Sequence, residues 1–353
     1  MFWQRDPGIK TVACFPAHPS QLWLMVNVVR ALPQDIQVIW VLRDKDILIA
    51  LAERLGLNYT VISRAGTGLV GNALEMLVNI FRARRITRRR RVDLWLTKYG
   101  AGNIAAFLAR VPSLSFNDDD IDVVPLIAAT SYPFARRVLA PASVRMGRYE
   151  GKTLRYRGSH ELVYLHPRRF SVNHQLLAEA GLANEPFILV RLSGLAAHHD
   201  IGIGGMSHGA VARLIADFSE QYRIVISSEK PLPAELANYQ MRAPVDHVHH
   251  LVAAASCLVT DSLSMALEAA VLGTATVRLS DFGLALSAFQ TVEPYGLVAN
   301  FKPGQVGEAL TAVAQMLELE RRGEIVVRSR QLVEDMEDPL PVFVNAILEH
   351  LPA

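Results

Sequence analysis

Cysteine is almost missing from this chain: Cys14 and Cys257 are the only two in 353 residues. Both lie in apolar runs, so buried thiols of a reducing compartment are expected rather than a disulfide framework. A surplus of one charge is missing too. Lys and Arg total 36 against 34 Asp and Glu, a formal net charge of +2, so nothing global points to nucleic acid. No apolar run reaches the roughly 18–20 residues that span a bilayer. The opening residues MFWQRDPG lack the continuous apolar core of a signal peptide. There is no fixed-period repeat and no low-complexity linker. The expected location is cytoplasmic, at most peripheral on the inner face of a membrane.

What the chain does have is alternation. Apolar, strand-like runs at Thr11–Phe15, Gln37–Leu42, Tyr59–Ile62, Leu94–Thr97, Ser113–Ser115 and Arg137–Leu139 are interleaved with helical stretches at Gln21–Ala31, Asp46–Leu55, Ala73–Arg84 and Asn103–Leu108. Runs apolar on both faces are the mark of a covered parallel sheet. Residues 141–170 carry few regular cues. The alternation then restarts: strands at Phe187–Arg191, Arg223–Ser227, Leu258–Thr260 and Thr276–Leu279, helices at Ser207–Phe218 and Met265–Leu272. Helices at Glu308–Arg321 and Pro341–Leu351 close the chain. The expected fold class is α/β: two doubly wound Rossmann-type domains facing across a cleft. The expected domains are residues 1–165, joined by a C-terminal helix at 336–353, and residues 166–335.

Ligands in such sheets bind beyond the carboxyl ends of the strands, and the unusual polar residues of this chain collect there. The richest stretch runs from Cys257 to Arg278. Thr260, Asp261 and Ser262 open a helix whose free N–H groups suit a diphosphate, with Ser262 and Ser264 assisting. Glu268 is a lone carboxylate inside an otherwise apolar helix and needs a partner; ribose hydroxyls would serve. The bland alternative is a helix cap followed by an exposed Glu. Arg191 ends the preceding strand and suits phosphate charge, with Ser193 and Glu229 nearby. The glycine-rich run after Ser193 reads either as a closing loop or as a plain surface loop, and its glycines are misplaced for a dinucleotide fingerprint.

Other constellations carry less. Asp118, Asp119 and Asp120 follow a strand as adjacent carboxylates. At least one requires a raised pKa or a cation partner, which suits a general base, a divalent ion or a solvated acidic turn. His18, between Pro16 and Pro19, is a candidate base or a structural histidine. Asp246, His247, His249 and His250 do not complete a zinc set; no metal is expected. Arg82, Arg84, Arg85, Arg88, Arg89, Arg90 and Arg91 place seven arginines in ten residues after the apolar stretch Leu74–Phe81. That pattern suits an anionic membrane surface, with a solvated face as the alternative and nucleic acid a weaker one.

In order along the chain, Pro16–Pro19, Phe116–Asp120, Tyr156–Pro167, Val190–Ser193, Ser227–Glu229 and Thr260–Gly273 resemble a prokaryotic family of the DUF354 type, grouped with the GT-B glycosyltransferases and the non-hydrolysing UDP-N-acetylglucosamine 2-epimerases. The resemblance covers nearly the whole chain, and Tyr156–Pro167 is its most specific block. The Thr260–Gly273 block is similar to the epimerase UDP site: Asp261, Ser262 and Glu268 match in spacing, while Leu263 and Ser264 replace two glycines. The epimerase His-Arg-Arg-Glu-Asn run is missing after Leu189. The resemblance implies a GT-B fold, a nucleotide-sugar ligand and no resident cofactor, but supplies no reaction; the basic helix is expected to hold a glycosyltransferase beside a lipid-linked or polysaccharide acceptor. Three activities stay open: glycosyl transfer, epimerisation, and non-catalytic binding of a nucleotide or partner.

Overall fold

The computed structural model describes residues 9–45, 47–66, 68–183, 185–193, 205–281 and 286–352. The chain divides into two compact units, Met1–Tyr164 with Asp338–Ala353, and Leu165–Glu337.

The first unit is built on β1 (Lys10–Cys14), α1 (Pro19–Arg30), β2 (Ile36–Asp44), α2 (Leu48–Arg54), β3 (Tyr59–Arg64), α3 (Gly68–Arg90), β4 (Leu94–Leu96), α4 (Gly100–Ala109), β5 (Ser113–Phe116), α5 (Pro125–Ser131), β6 (Arg137–Pro141), β7 (Thr153–Tyr156) and α6 (Leu162–Leu165). Its sheet is wholly parallel, in the order β3-β2-β1-β4-β5-β6-β7. β1, β4 and β5 are buried along almost their whole length, because helices cover a parallel sheet and leave no face for polar side chains.

The second unit holds α7 (His174–Glu179), β8 (Phe187–Leu192), α8 (His208–Phe218), β9 (Arg223–Ser228), α9 (Val248–Ala254), β10 (Cys257–Thr260), α10 (Leu263–Leu272), β11 (Thr276–Leu279), α11 (Ser287–Gln290), β12 (Val298–Phe301), α12 (Val306–Arg321) and α13 (Glu324–Glu334). Its sheet is parallel too, ordered β12-β11-β10-β8-β9. The last helix, α14 (Leu340–His350), belongs to the first unit. There Phe343 packs against Phe116, Tyr156 and His160 with ring centroids 5.9 Å apart in each case.

Two topological details position the candidate sites. In the first sheet the chain reverses its direction of winding between β1 and β4; in the second it does so between β8 and β10. Such switch points open a crevice at the strand carboxyl ends, where α/β proteins place ligands. Residues 15–18 and Lys98 follow the first pair of strands, and Ser193 and residues 261–262 follow the second.

Segment 141–170, read as irregular, contains a 3-10 turn (Gly147–Lys152), β7 and α6. α3 is longer than its sequence pattern suggests and takes the arginine run up to Arg90 into the helix.

Candidate functional site

At the second switch point the residues bind one another closely. The Thr260 hydroxyl donates to the Arg191 carbonyl at 3.0 Å and accepts from the Ser262 amide at 3.0 Å. Ser262 is the N-cap of α10, its Oγ accepting from the Met265 amide at 3.4 Å. Asp261 is buried, and its Oδ1 accepts from the Ser193 amide at 2.7 Å. Burial pushes the Asp261 carboxyl upward, against the pull of the Ser193 contacts. Ser264 lies half-buried in the first turn of α10.

Arg191 is held in place: its Nη1 donates to Ser227 Oγ at 2.8 Å and its Nη2 to Glu229 Oε1 at 2.5 Å. Arg191 and Glu229 are thus brought together as an ion pair. A second guanidinium stands close by. Arg278 is the next-to-last residue of β11, in register with Thr260 of β10. Its side chain is buried, with Nη1 donating to Asn300 Oδ1 at 3.3 Å. Burial pulls its pKa down to about 10, opposed by the charge of Asp261. Sequence reading gave Arg278 no role. Yet it is a lone charge in an apolar four-residue strand, the same signal that singled out Glu268.

Glu268 is buried on α10, and its Oε1 lies 3.2 Å from His249 Nε2 on α9. A lone carboxylate on this helix therefore has a partner inside the protein. The ring of Phe170 stands edge-on to His249 (centroids 6.4 Å apart) and stacks on His250 (4.9 Å, 23° between planes). The group Glu268, His249, His250 and Phe170 gathers one carboxylate, two imidazoles and a phenyl ring. The glycine-rich run at 194–204, expected to form a loop over a ligand, lies outside the described residues.

The first unit has its own buried polar cluster. The Lys98 ammonium, after β4, contacts Asp118 and, at 2.8 Å, Asp119 Oδ2, both after β5. Asp120 is fully buried, with Oδ1 accepting from the Arg145 amide at 2.7 Å and Oδ2 lying 2.9 Å from Arg145 Nη2. The three aspartates are thus relieved by cations. Burial alone would raise the Asp118 carboxyl, but Lys98, and His160 after it, hold it well below the usual carboxylate range. A carboxylate so held is a poor proton acceptor at neutral pH.

His160 adjoins this cluster. Its Nδ1 shares a hydrogen bond with the Tyr156 hydroxyl, while its Nε2 is buried with no hydrogen-bond partner. Burial lowers its pKa to about 4, against the charge of Asp118. His18, the other candidate base, is exposed and caps α1: its Nδ1 accepts from the Ser20 amide at 3.3 Å and meets Ser20 Oγ at 2.8 Å. Lys98 and His160 are functional candidates that sequence reading left without a role. Lys98 could have been paired with the aspartate run as the nearest post-strand cation; His160 lies in the segment of few cues.

Among the described residues no group of three His, Cys, Asp or Glu side chains is placed to hold a metal ion. Nor is any helix there long and apolar enough to cross a membrane.

No family model matches the chain, and no curated protein matches it in sequence. Solved structures do. A protein of Listeria monocytogenes assigned as a UDP-N-acetylglucosamine 2-epimerase superposes with a TM-score of 0.67 at 11% identity, over 97% of this chain and 95% of that one. The UDP-GlcNAc 2-epimerase of Methanocaldococcus jannaschii, solved with UDP-GlcNAc and UDP, gives 0.63 at 14% identity over 87% and 92%. A glycosyltransferase of Rickettsia africae gives 0.55 at 9% identity over 97% of each chain. At these identities the likeness is one of fold. With its two parallel Rossmann-like sheets, the protein has the two-domain GT-B fold.

Proposed function

We propose that this protein is a GT-B-type glycosyltransferase whose second unit binds a nucleoside diphosphate sugar, UDP-linked, for the synthesis of a cell-envelope or exocellular polysaccharide. The observation that carries the reading is the buried pairing of His249 on α9 with Glu268 on α10, the helix opened by the Thr260–Asp261–Ser262 turn at the switch point. A diphosphate would take the first-turn amides and the Ser262 and Ser264 hydroxyls. Glu268, steadied by His249, would accept from the ribose hydroxyls. Arg191 and Arg278 would offset phosphate charge, with Ser227 and Glu229 setting the position of Arg191 and Ser193, tied to Asp261, beside the ligand. In the first unit, exposed His18 is better suited as a base than the cation-bound Asp118, Asp119 and Asp120, or than His160, whose buried imidazole resists protonation.

Two rival readings each have one supporting observation. The epimerase neighbours favour nucleotide-sugar epimerisation at the same site. The mutual pairing of Lys98 with Asp118 and Asp119, and of Arg191 with Glu229, favours a binding protein without catalysis. A thermal-shift panel of UDP, UDP-sugars and other nucleoside diphosphates tests the common site, since a ligand that binds only the native state raises its stability. Glu268→Ala should abolish the UDP shift; an unchanged shift would overturn the assignment. Incubation with UDP-sugars then separates the readings: transfer needs an acceptor, epimerisation does not, and a binding protein turns over neither.

A further inference from the structure

Helix α3 is amphipathic in the reverse sense. Its inner face is polar. Glu75 is buried and accepts from Arg43 Nε at 2.9 Å and Nη2 at 2.5 Å, from Ser63 Oγ at 2.8 Å, from the Gly66 amide at 2.8 Å and from Asn79 Nδ2 at 3.3 Å. Asn79 is fully buried, and buried Thr87 accepts from Trp95 Nε1 at 3.0 Å. Its outer face is apolar. Val70 is 74% exposed, Leu74 58%, Leu77 54%, Val78 40% and Phe81 69%. Spacings of four, three, one and three residues put all five on one side of the helix. The same side continues after Phe81 with Arg85 and Arg88, four and seven residues on, flanked by Arg89.

This orientation is locked. Rotating α3 to bury the stripe would pull Glu75 out of five hydrogen bonds and leave the Arg43 charge buried without its carboxylate, a heavy penalty. The exposed stripe is therefore a property of the fold, and it is larger than scattered single apolar residues explain.

The charge pattern selects what covers it. Glu75 is the sole acidic residue in α3, and it faces inward. Arg85, Arg88 and Arg89 are exposed and, among the described residues, have no carboxylate partner. A second copy of this helix would offer the arginines no negative charge. A nucleic acid would meet the arginines but leave Leu74, Leu77 and Phe81 in water. An anionic bilayer surface meets both halves. The apolar stripe enters the headgroup–acyl boundary, and the guanidinium groups bind lipid phosphates in bidentate fashion.

We propose that α3 docks this protein flat on an anionic phospholipid membrane, with Val70, Leu74, Leu77, Val78 and Phe81 in the interface and Arg85, Arg88 and Arg89 on the headgroups. At about 1.5 Å per residue the helix gives a footprint about 34 Å long. The proposal stands independently of the reaction assigned above.

Flotation of the intact protein with phosphatidylcholine vesicles, and with mixed phosphatidylcholine–phosphatidylglycerol vesicles, tests it. The expected result is binding to the mixed vesicles only, weakened by salt. Arg85→Glu/Arg88→Glu should lower the partition about a hundredfold, and Leu74→Glu/Phe81→Glu about thirtyfold. Both pairs are exposed, so the melting temperature should hold and confirm folding. Three outcomes would overturn the proposal: no binding by the wild type, equal binding to both vesicle types, or binding indifferent to the arginine reversal. Concentration-dependent self-association lost in Leu74→Glu/Phe81→Glu, without vesicle binding, would assign the stripe to a second copy instead.

Discussion

Glu268 on α10 and His249 on α9 meet 3.2 Å apart, both almost wholly removed from solvent. Removing one member of such a pair strands the other, so His249→Ala and Glu268→Ala should each destabilise by about 3 kcal/mol. The double variant should lose clearly less than the sum, since the second change removes a group already stranded. Urea unfolding of the four proteins gives the coupling. Strict additivity would show that the two side chains do not depend on each other. If Glu268 also holds a ribose, Glu268→Gln should keep part of the UDP affinity that Glu268→Ala loses.

His160 carries a pH signature. Its folded pKa of about 4 lies below the unfolded value of about 6.5. Between these values the unfolded chain binds a proton that the native state refuses, so stability rises with pH there. Acidifying from about pH 6.5 to pH 4 should therefore remove about 3 kcal/mol. His160→Asn should flatten that window without improving stability at pH 7, where the Tyr156 hydrogen bond is weakened. A wild-type stability that is level from pH 6.5 to 4 would refute the buried neutral imidazole.

Lys98 carries the opposite charge into the same cluster. Lys98→Met leaves Asp118 and Asp119 facing each other without their cation and should cost about 3–5 kcal/mol. The depressed Asp118 carboxyl adds an acid limb. Its stabilising contribution is present above the unfolded carboxylate pKa of about 3.9 and is lost as pH falls toward its lower native value. In Lys98→Met that limb should move to higher pH. Circular dichroism of acid unfolding measures both effects; an unshifted acid midpoint would mean that Lys98 does not set the Asp118 charge.

Much of this fold is legible in the sequence because parallel strands buried on both faces are continuous apolar runs. β1 is shifted by one residue from its sequence reading, and β10 begins one residue earlier than read. β7 and β12 escaped because each is a four-residue edge strand, only partly buried, with a polar or charged residue within it. At the candidate sites, what could be read was need: a lone carboxylate at 268 and three adjacent ones at 118–120 each required a partner. Which partner could not be read, since His249 reaches Glu268 across an intervening strand and Lys98 reaches the aspartates from another βα turn. Arg145 lies still farther along the chain. The apolar stretch before the arginine run was legible too; the polar inner face that fixes the rotation of α3, with Glu75, Asn79 and Thr87 bonded to other elements, was not.

Gly273 ends α10 in the left-handed region, with φ 79° and ψ 35°, and its amide donates toward the Ala269 and Ala270 carbonyls. An added Cβ would meet the Ser329 side chain at 3.4 Å, an ordinary contact, so the penalty for a side chain here is one of backbone conformation. Gly273→Ala should cost about 1–2 kcal/mol, and Gly273→Asn less, because Asn enters this region more readily. Ser329 is worth testing beside it: its Oγ donates to the Val271 carbonyl at 3.1 Å, holding the last turn of α10 from α13. Ser329→Ala should add a loss of about 1 kcal/mol. Denaturant unfolding distinguishes the causes. A loss above about 4 kcal/mol in Gly273→Ala would indicate a steric clash rather than backbone strain, and no loss at all would mean that the helix frays before residue 273.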